Sequence, residues 1–306
     1  MKLNTFRLLL AMLLTPALAS CGQDNAAIQA SGASTVEATQ RIVAMGGEIS
    51  ETLVRLGAES SIVAVDSTST WPERLQQLPN VGYLRQLSAE GVLSLQPDLI
   101  LASHDAGPEQ ILNRWRQLGI EVKQITTGPR IEQALSAITS IGDIVGKAEE
   151  ARLLLAENQR ALAALRTLPA KPRVLFLLSK VGNLPLVAGN TTKAHVMIET
   201  AYGHNVASSF AGYKPASGEA IVTLAPELIL VASHGLASFG GIDALRNDPA
   251  LRLTPAGRNG NIQVVDSQLM LSMGPRLGEA VTMLHAVFAH TLSVSSNSQI
   301  AQRNPL

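Results

Sequence analysis

The stretch GYLRQLSAEGVLSLQPDLILASH, residues 82–104, returns as GYKPASGEAIVTLAPELILVASH at residues 212–234. Both copies carry Gly-Tyr, a Glu seven residues before a Pro, an acidic residue after it, Leu-Ile-Leu and a closing Ala-Ser-His. Each reads as a loop, a short helix, a turn and a buried strand, because a continuous apolar run of this length follows a Pro-marked turn. Writing one supersecondary unit twice constrains the chain to two related lobes.

The flanking pattern agrees. In the first lobe the apolar runs RIVAMG, SIVAVD and DLILAS and the segment IEVKQI alternate with helical stretches, GEISETLVRLG and GPEQILNRWRQLG among them. In the second, RVLFLLS, ELILVAS and NIQVVD alternate with AHVMIETAYG, IDALRNDPA and PRLGEAVTMLHAVFAH. Apolar strands alternating with helices predict parallel sheets covered on both faces. The expected fold is α/β: two Rossmann-like lobes, 41–128 and 172–292, joined by a long helical linker at 129–171, with Gly142 and Gly146 marking a break in it. Ligands of such sheets bind beyond the carboxyl ends of the strands, so the cleft between the lobes is the expected site. The polar end, 293–306, is expected to be disordered.

The N-terminus reads as an export signal. MKLNTFR is a basic segment and LLLAMLLTPALA an apolar one too short to span a bilayer. Cleavage after ALA would leave a soluble secreted chain, whereas LASC resembles a lipobox that would lipidate Cys21. The expected signal peptide is 1–20 and the segment 21–40 a flexible tether. Cys21 is the single cysteine, so no disulfide forms within the chain, and stability has to come from buried apolar surface. Basic and acidic side chains number 24 each. Loss of Lys2 and Arg7 with the signal peptide leaves the acids two ahead. No basic run marks nucleic-acid binding.

The run Gly-Tyr-x-Arg-x-Leu-Ser-Ala-Glu-Gly, together with GYKP, TPAGRN and GPR, resembles the haem-binding substrate-binding proteins of bacterial ABC importers. Leu-x-Pro-Asp-Leu-Ile belongs to the wider superfamily, which includes cobalamin and ferric-siderophore binders. The resemblance covers essentially the whole mature chain. It implies two lobes joined by a single rigid helix, a monomer in the periplasm, haem as transported ligand, and an ABC permease dimer in the inner membrane as partner. Tyr83 matches the axial ligand to haem iron. Ferric iron is a hard cation that favours an anionic oxygen donor. Arg85 would favour the phenolate or pair with a propionate. Tyr213, the counterpart of Tyr83, would pack on the porphyrin or hydrogen-bond it. Lys180 stands where some relatives carry a second haem ligand, a histidine, and would neutralise a propionate or remain a solvated lysine. Arg276 would attract an anion or tie the chain end to its core. Glu90 and Glu219 match the acidic residues that dock on the two permease subunits; capping a short helix is their plain alternative.

His104 and His234 end the two repeated strands and border the expected cleft. His234 is a candidate ligand contact. The remaining histidines, His195, His204, His285 and His290, read as structural. Met270 and Met273 are candidate apolar walls for the ligand. The alternatives to haem are cobalamin or a ferric siderophore, or a metal-dependent enzyme built on His104, His234 and Asp105. Short catalytic motifs are absent from the sequence, and a binding protein rather than an enzyme is expected.

Overall fold

The computed structural model describes residues 40–88 and 90–303. The expected signal peptide, Cys21 and all of the tether but its last residue lie outside the described residues. In chain order the first lobe contains β1 (Ile42–Met45), α1 (Gly47–Arg55), β2 (Ile62–Val65), α2 (Glu90–Leu93), β3 (Leu99–Ser103), α3 (Glu109–Gln117) and β4 (Glu121–Ile125). Its four strands form a fully parallel sheet in the order β2-β1-β3-β4. Alternate residues of each strand feed opposite layers. Ile42 and Ala44 pack with Ile49 and Leu53 of α1 on one face, while Val43 and Met45 pack with Leu112 and Trp115 of α3 on the other.

Two helices follow, α4 (Ile131–Ile144) and α5 (Ala148–Ala163). The linker is therefore a helical pair, not the single rigid helix implied by the resemblance. Gly146, at φ 67°, lets the chain reverse between them. A Cβ on Gly142 would lie 2.4 Å from the Cβ of Ala151, so only glycine lets the pair close. The pair belongs to both lobes. Ala137, Ile138 and Ile141 enter the core of the first sheet, and Ala134 enters that of the second.

The second lobe contains β5 (Arg173–Val181), β6 (Leu184–Ala188), α6 (Lys193–Thr200), β7 (His204–Asn205), β8 (Tyr213–Pro215), α7 (Gly218–Leu224), β9 (Leu228–Ala232), α8 (Ile242–Arg246), α9 (Pro249–Arg252), α10 (Pro255–Arg258), β10 (Ile262–Val265), α11 (Ser267–Leu271) and α12 (Leu277–Arg303). Its sheet runs β10-β9-β5-β6-β8, with β7 added beside β5. It is mixed, which corrects the expectation of a second parallel sheet. β10, β9 and β5 are parallel, but β6 is antiparallel to β5 and to β8. The cause is Gly182-Asn183, a two-residue connection with Gly182 at φ 59°; so short a turn can only produce an antiparallel hairpin.

The repeated phrase is one structure made twice. Gln96 and Ala225, each before its Pro, take left-handed φ of 47° and 44°. Arg41 donates from Nη2 to the Leu95 carbonyl at 2.7 Å and from Nε to Gln96 at 3.1 Å. Arg173 does the same to Leu224 at 2.6 Å and Ala225 at 3.1 Å. In each copy the acid after the Pro, Asp98 or Glu227, accepts the backbone N–H of that arginine.

The C-terminal segment departs from the expected disorder: α12 continues through Arg303. Nothing between Ser293 and Arg303 breaks a helix, and the first proline is Pro305. Residues 277–294 are long and apolar enough to cross a membrane, but Leu277, Val281, Leu284 and Phe288 are buried in the core of the second lobe.

A buried polar cluster joins the lobes. The Gln268 side-chain oxygen accepts from Thr70 N (2.8 Å), Thr70 Oγ1 (2.6 Å) and Trp71 N (2.7 Å), and its nitrogen donates to Gly47 O (3.2 Å) and Glu51 Oε2 (2.9 Å). Arg276 pairs with both Glu51 oxygens and stacks 4.0 Å from the Trp71 ring centroid. Burial pushes the Glu51 carboxyl above its ordinary range, while Arg276 and Gln268 hold it down. Removing one partner of a buried pair strands the other charge. Arg276→Ala is accordingly expected to lower stability by about 3–5 kcal/mol in urea denaturation. Because Gln268 and Arg276 both bond Glu51, the loss in a double variant with Gln268→Ala is expected to be non-additive.

Candidate functional site

A cleft of about 750 Å³ opens where the strand ends of the two sheets face one another. Ser67 and Thr68 follow β2, His104 and Asp105 follow β3, and Gly128 and Pro129 follow β4; from the other lobe come Leu178, Thr191–Lys193, Tyr213, His234 and Gln268. Tyr83, Arg85, Tyr213, His234, His104 and Asp105 thus meet at one site.

Buried leucines hold the loop around Tyr83. Leu84 and Leu87 are buried, 7% and 6% exposed, which turns Tyr83 and Arg85 outward. Gly82, at φ 91°, supplies the left-handed step before the tyrosine. Its N–H donates to Asn80 Oδ1 at 2.8 Å. Tyr83 itself is 41% exposed. Beside it, Arg85 Nη2 donates to Asp105 Oδ2 at 2.5 Å. Burial pushes the Asp105 carboxyl up, but Arg85, with help from His104 and Lys193, outweighs it and holds the group below its usual range. Burial works against the Arg85 charge, yet Asp105 and the two tyrosines, Tyr83 and Tyr213, raise it.

His104 stands behind this pair. Its Nδ1 accepts the Thr127 N–H at 3.3 Å, so the neutral ring carries its proton on Nε2, which lies 3.3 Å from Asp105 Oδ1. Both ring nitrogens are engaged, leaving no lone pair for a metal. Thr127 Oγ1 in turn donates to Glu48 Oε1 at 2.7 Å and bonds Ser103 Oγ at 2.8 Å. Among the described residues no three His, Cys, Asp or Glu side chains converge to hold a metal ion, so the metal-enzyme alternative finds no donor set there.

The second lobe presents different chemistry at the matching positions. Burial pushes the Tyr213 phenol up to about 12, although Arg85 and a hydrogen bond with Thr192 pull it down. Tyr213 is therefore a neutral phenol at physiological pH. His234 donates its backbone N–H to Ser267 Oγ at 3.0 Å, and its Nδ1 lies 2.7 Å from that hydroxyl. Its Nε2 has no hydrogen bond among the described residues.

Several expected residues lie elsewhere. Lys180 sits on the β5–β6 hairpin, where its N–H donates to Ser238 Oγ at 2.9 Å and its ammonium lies 5.6 Å from the Phe239 ring centroid, outside the cleft lining. Arg276 serves the interlobe cluster, not the cleft. Met270 and Met273 are 1% and 2% exposed in the core of the second lobe; Leu271 lines the cleft instead. Glu219 is exposed in the first turn of α7, capped by Ser217, and its carboxylate has no partner among the described residues. Glu90 heads α2, and its side chain lies outside the described residues. His195 bonds Asn205 and His285 the Arg166 carbonyl, as structural histidines do. Sequence reasoning missed Glu48, Lys193 and Gln268. The signal for Lys193 was Asn-Thr-Thr-Lys, a helix cap directly after the unrecognised strand β6.

A periplasmic binding protein family profile matches residues 42–269. The chain belongs to the periplasmic binding protein family. Among solved periplasmic binding proteins, the chain is similar to the periplasmic heme-binding protein RhuT from Roseiflexus sp. RS-1, at 37% identity and a TM-score of 0.78, covering 82% of this chain and 98% of that one. It is also similar to the periplasmic heme-binding protein HutB of Vibrio cholerae, at 35% identity and a TM-score of 0.74, covering 81% and 98%. The vitamin B12-binding protein of Vibrio parahaemolyticus is 25% identical over 248 residues, 80% of this chain and 88% of that protein.

Burial holds the His234 imidazole below its ordinary value of 6.5, so the folded protein takes up this proton later than the unfolded chain does. The stability contributed is complete above that value and falls as pH drops through it. An NMR titration is expected to place the His234 midpoint below 6.5, and His234→Ala to weaken the acid-side loss of stability.

Proposed function

We propose that this periplasmic binding protein captures haem in the periplasm and passes it to an ABC permease dimer in the inner membrane. The observation that carries this is Tyr83: an exposed phenol in the cleft, on a loop fixed by buried leucines, two residues from the Arg85 guanidinium that lines the same cleft. Tyr83 is assigned as the axial ligand, since ferric iron stabilises a phenolate and Arg85 adds to that. Tyr213 remains neutral and supplies a wall or a hydrogen bond from the other lobe. His234 offers its free Nε2 to the same ligand. The similarity to heme-binding proteins at 35% and 37% identity supports haem over cobalamin, the cargo named for relatives at lower identity.

Export by the N-terminal signal, with lipid attachment at Cys21, and docking through Glu90 and Glu219 complete this reading. The unpartnered carboxylate of Glu219 supports the docking role. One acidic handle on each lobe fits a permease with two-fold symmetry.

Absorption titration of the mature protein with hemin is expected to be saturable and to give a high-spin, phenolate-ligated ferric spectrum that Tyr83→Ala abolishes. Saturable binding of cyanocobalamin with no response to hemin would overturn the haem assignment. Glu90→Ala and Glu219→Ala are expected to leave the hemin titration unchanged while reducing uptake in reconstituted vesicles.

A further inference from the structure

The cleft treats its two cations unequally. Arg85 carries a carboxylate oxygen at hydrogen-bond distance, 2.5 Å away on Asp105. Lys193 does not. The carboxylate nearest to its ammonium is Glu48 at 3.9 Å, beyond hydrogen-bond reach, and that same oxygen already accepts from Thr127 Oγ1 at 2.7 Å. The one hydrogen bond that Lys193 makes among the described residues is to the Ser272 carbonyl, at 3.0 Å. An ammonium has three protons, so two remain without an acceptor. The Lys193 side chain is only 18% exposed, so solvent can satisfy them only in part. Glu48 gives this largely buried cation an ion-pair partner at 3.9 Å but no hydrogen bond, and an arriving anion would meet the two donors left over.

Its position is fixed. Thr192 caps α6 by accepting the His195 N–H at 3.1 Å, which sets Lys193 as the first helical residue, and the Ser272 carbonyl then holds the ammonium in the cleft. Lys193 also helps to hold the Asp105 carboxyl low, which puts its charge within electrostatic reach of the Arg85 side of the site. Lys180, the lysine expected to meet a propionate, is not among the residues lining this cleft.

We propose that Lys193 binds a carboxylate of the ligand from the second lobe and so selects tetrapyrroles with an acidic edge over those with a neutral one. This rests on the haem reading: haem carries two carboxylates on one edge, whereas cobalamin bears amides around its ring. The ligand is gripped at its centre by one lobe and at its rim by the other. A charge-assisted hydrogen bond in a partly buried setting is the strong kind, and it has no counterpart in an ester or an amide.

The test compares hemin with hemin dimethyl ester in absorption titrations of the full mature protein. Wild type is expected to bind the diacid about tenfold more tightly than the diester, about 1.4 kcal/mol. Lys193→Met is expected to bind both alike, with the Tyr83-type spectrum unchanged. Lys193→Arg is expected to restore the preference, and Lys180→Met to retain it. A preference that survives in Lys193→Met overturns the proposal. So does a wild type indifferent to esterification, and in that case the haem reading stands. A wild type that binds neither compound overturns both.

Discussion

The placement of one lobe against the other depends on a carboxylate, a guanidinium and an amide buried together. Glu51 comes from the first helix of the first lobe; Arg276 and Gln268 come from the far end of the second. An apolar contact of the same size would tolerate sliding. Hydrogen bonds of fixed length and direction do not, and Gln268 uses both ends of its amide across the boundary. Ion pairs of this kind add little net stability over an apolar filling, because desolvation offsets their attraction. What they add here is register. Gln268 and Gly47 also line the cleft, so the contact that orients the lobes helps to shape it.

On that frame the two copies of the repeat have kept their backbone and changed their chemistry. The left-handed residue before the proline and the arginine that clamps its carbonyl are the same in both. At the cleft the copies differ. Tyr83 is open to the cleft beside a cation, while burial raises the Tyr213 phenol to about 12. His104 has both ring nitrogens engaged, while His234 keeps one free. A symmetric scaffold therefore carries an asymmetric site.

Much of this was legible in the sequence. The apolar runs fell on β1, β2, β3, β5, β9 and β10 because strands covered on both faces leave an unbroken hydrophobic signal. Tyr83 and Arg85 were legible only through the Gly-Tyr-x-Arg motif and its resemblance, since no periodicity in the loop singles them out. The hairpin β5–β6 was not, since Pro185 and a short Gly-Asn turn mask its pattern. That is why Lys180, on the hairpin, read as the cleft end of a strand, while Lys193, which lines the cleft, went unnoticed. Arg276 was misplaced for a different reason: its partner Glu51 lies 225 positions away, and no local pattern records such a pairing.

The helix α4 shares one face between two owners, its N-terminal Ala134 going to one core and Ala137, Ile138 and Ile141 further along to the other. Neither half of the duplicated chain closes its hydrophobic interior without that shared element. Melting of one lobe would uncover apolar surface that the other lobe relies on, so the two stand or fall as a single cooperative unit. A molecule assembled from two similar modules has in this way given up its modularity, and a cut between them would yield no independent half.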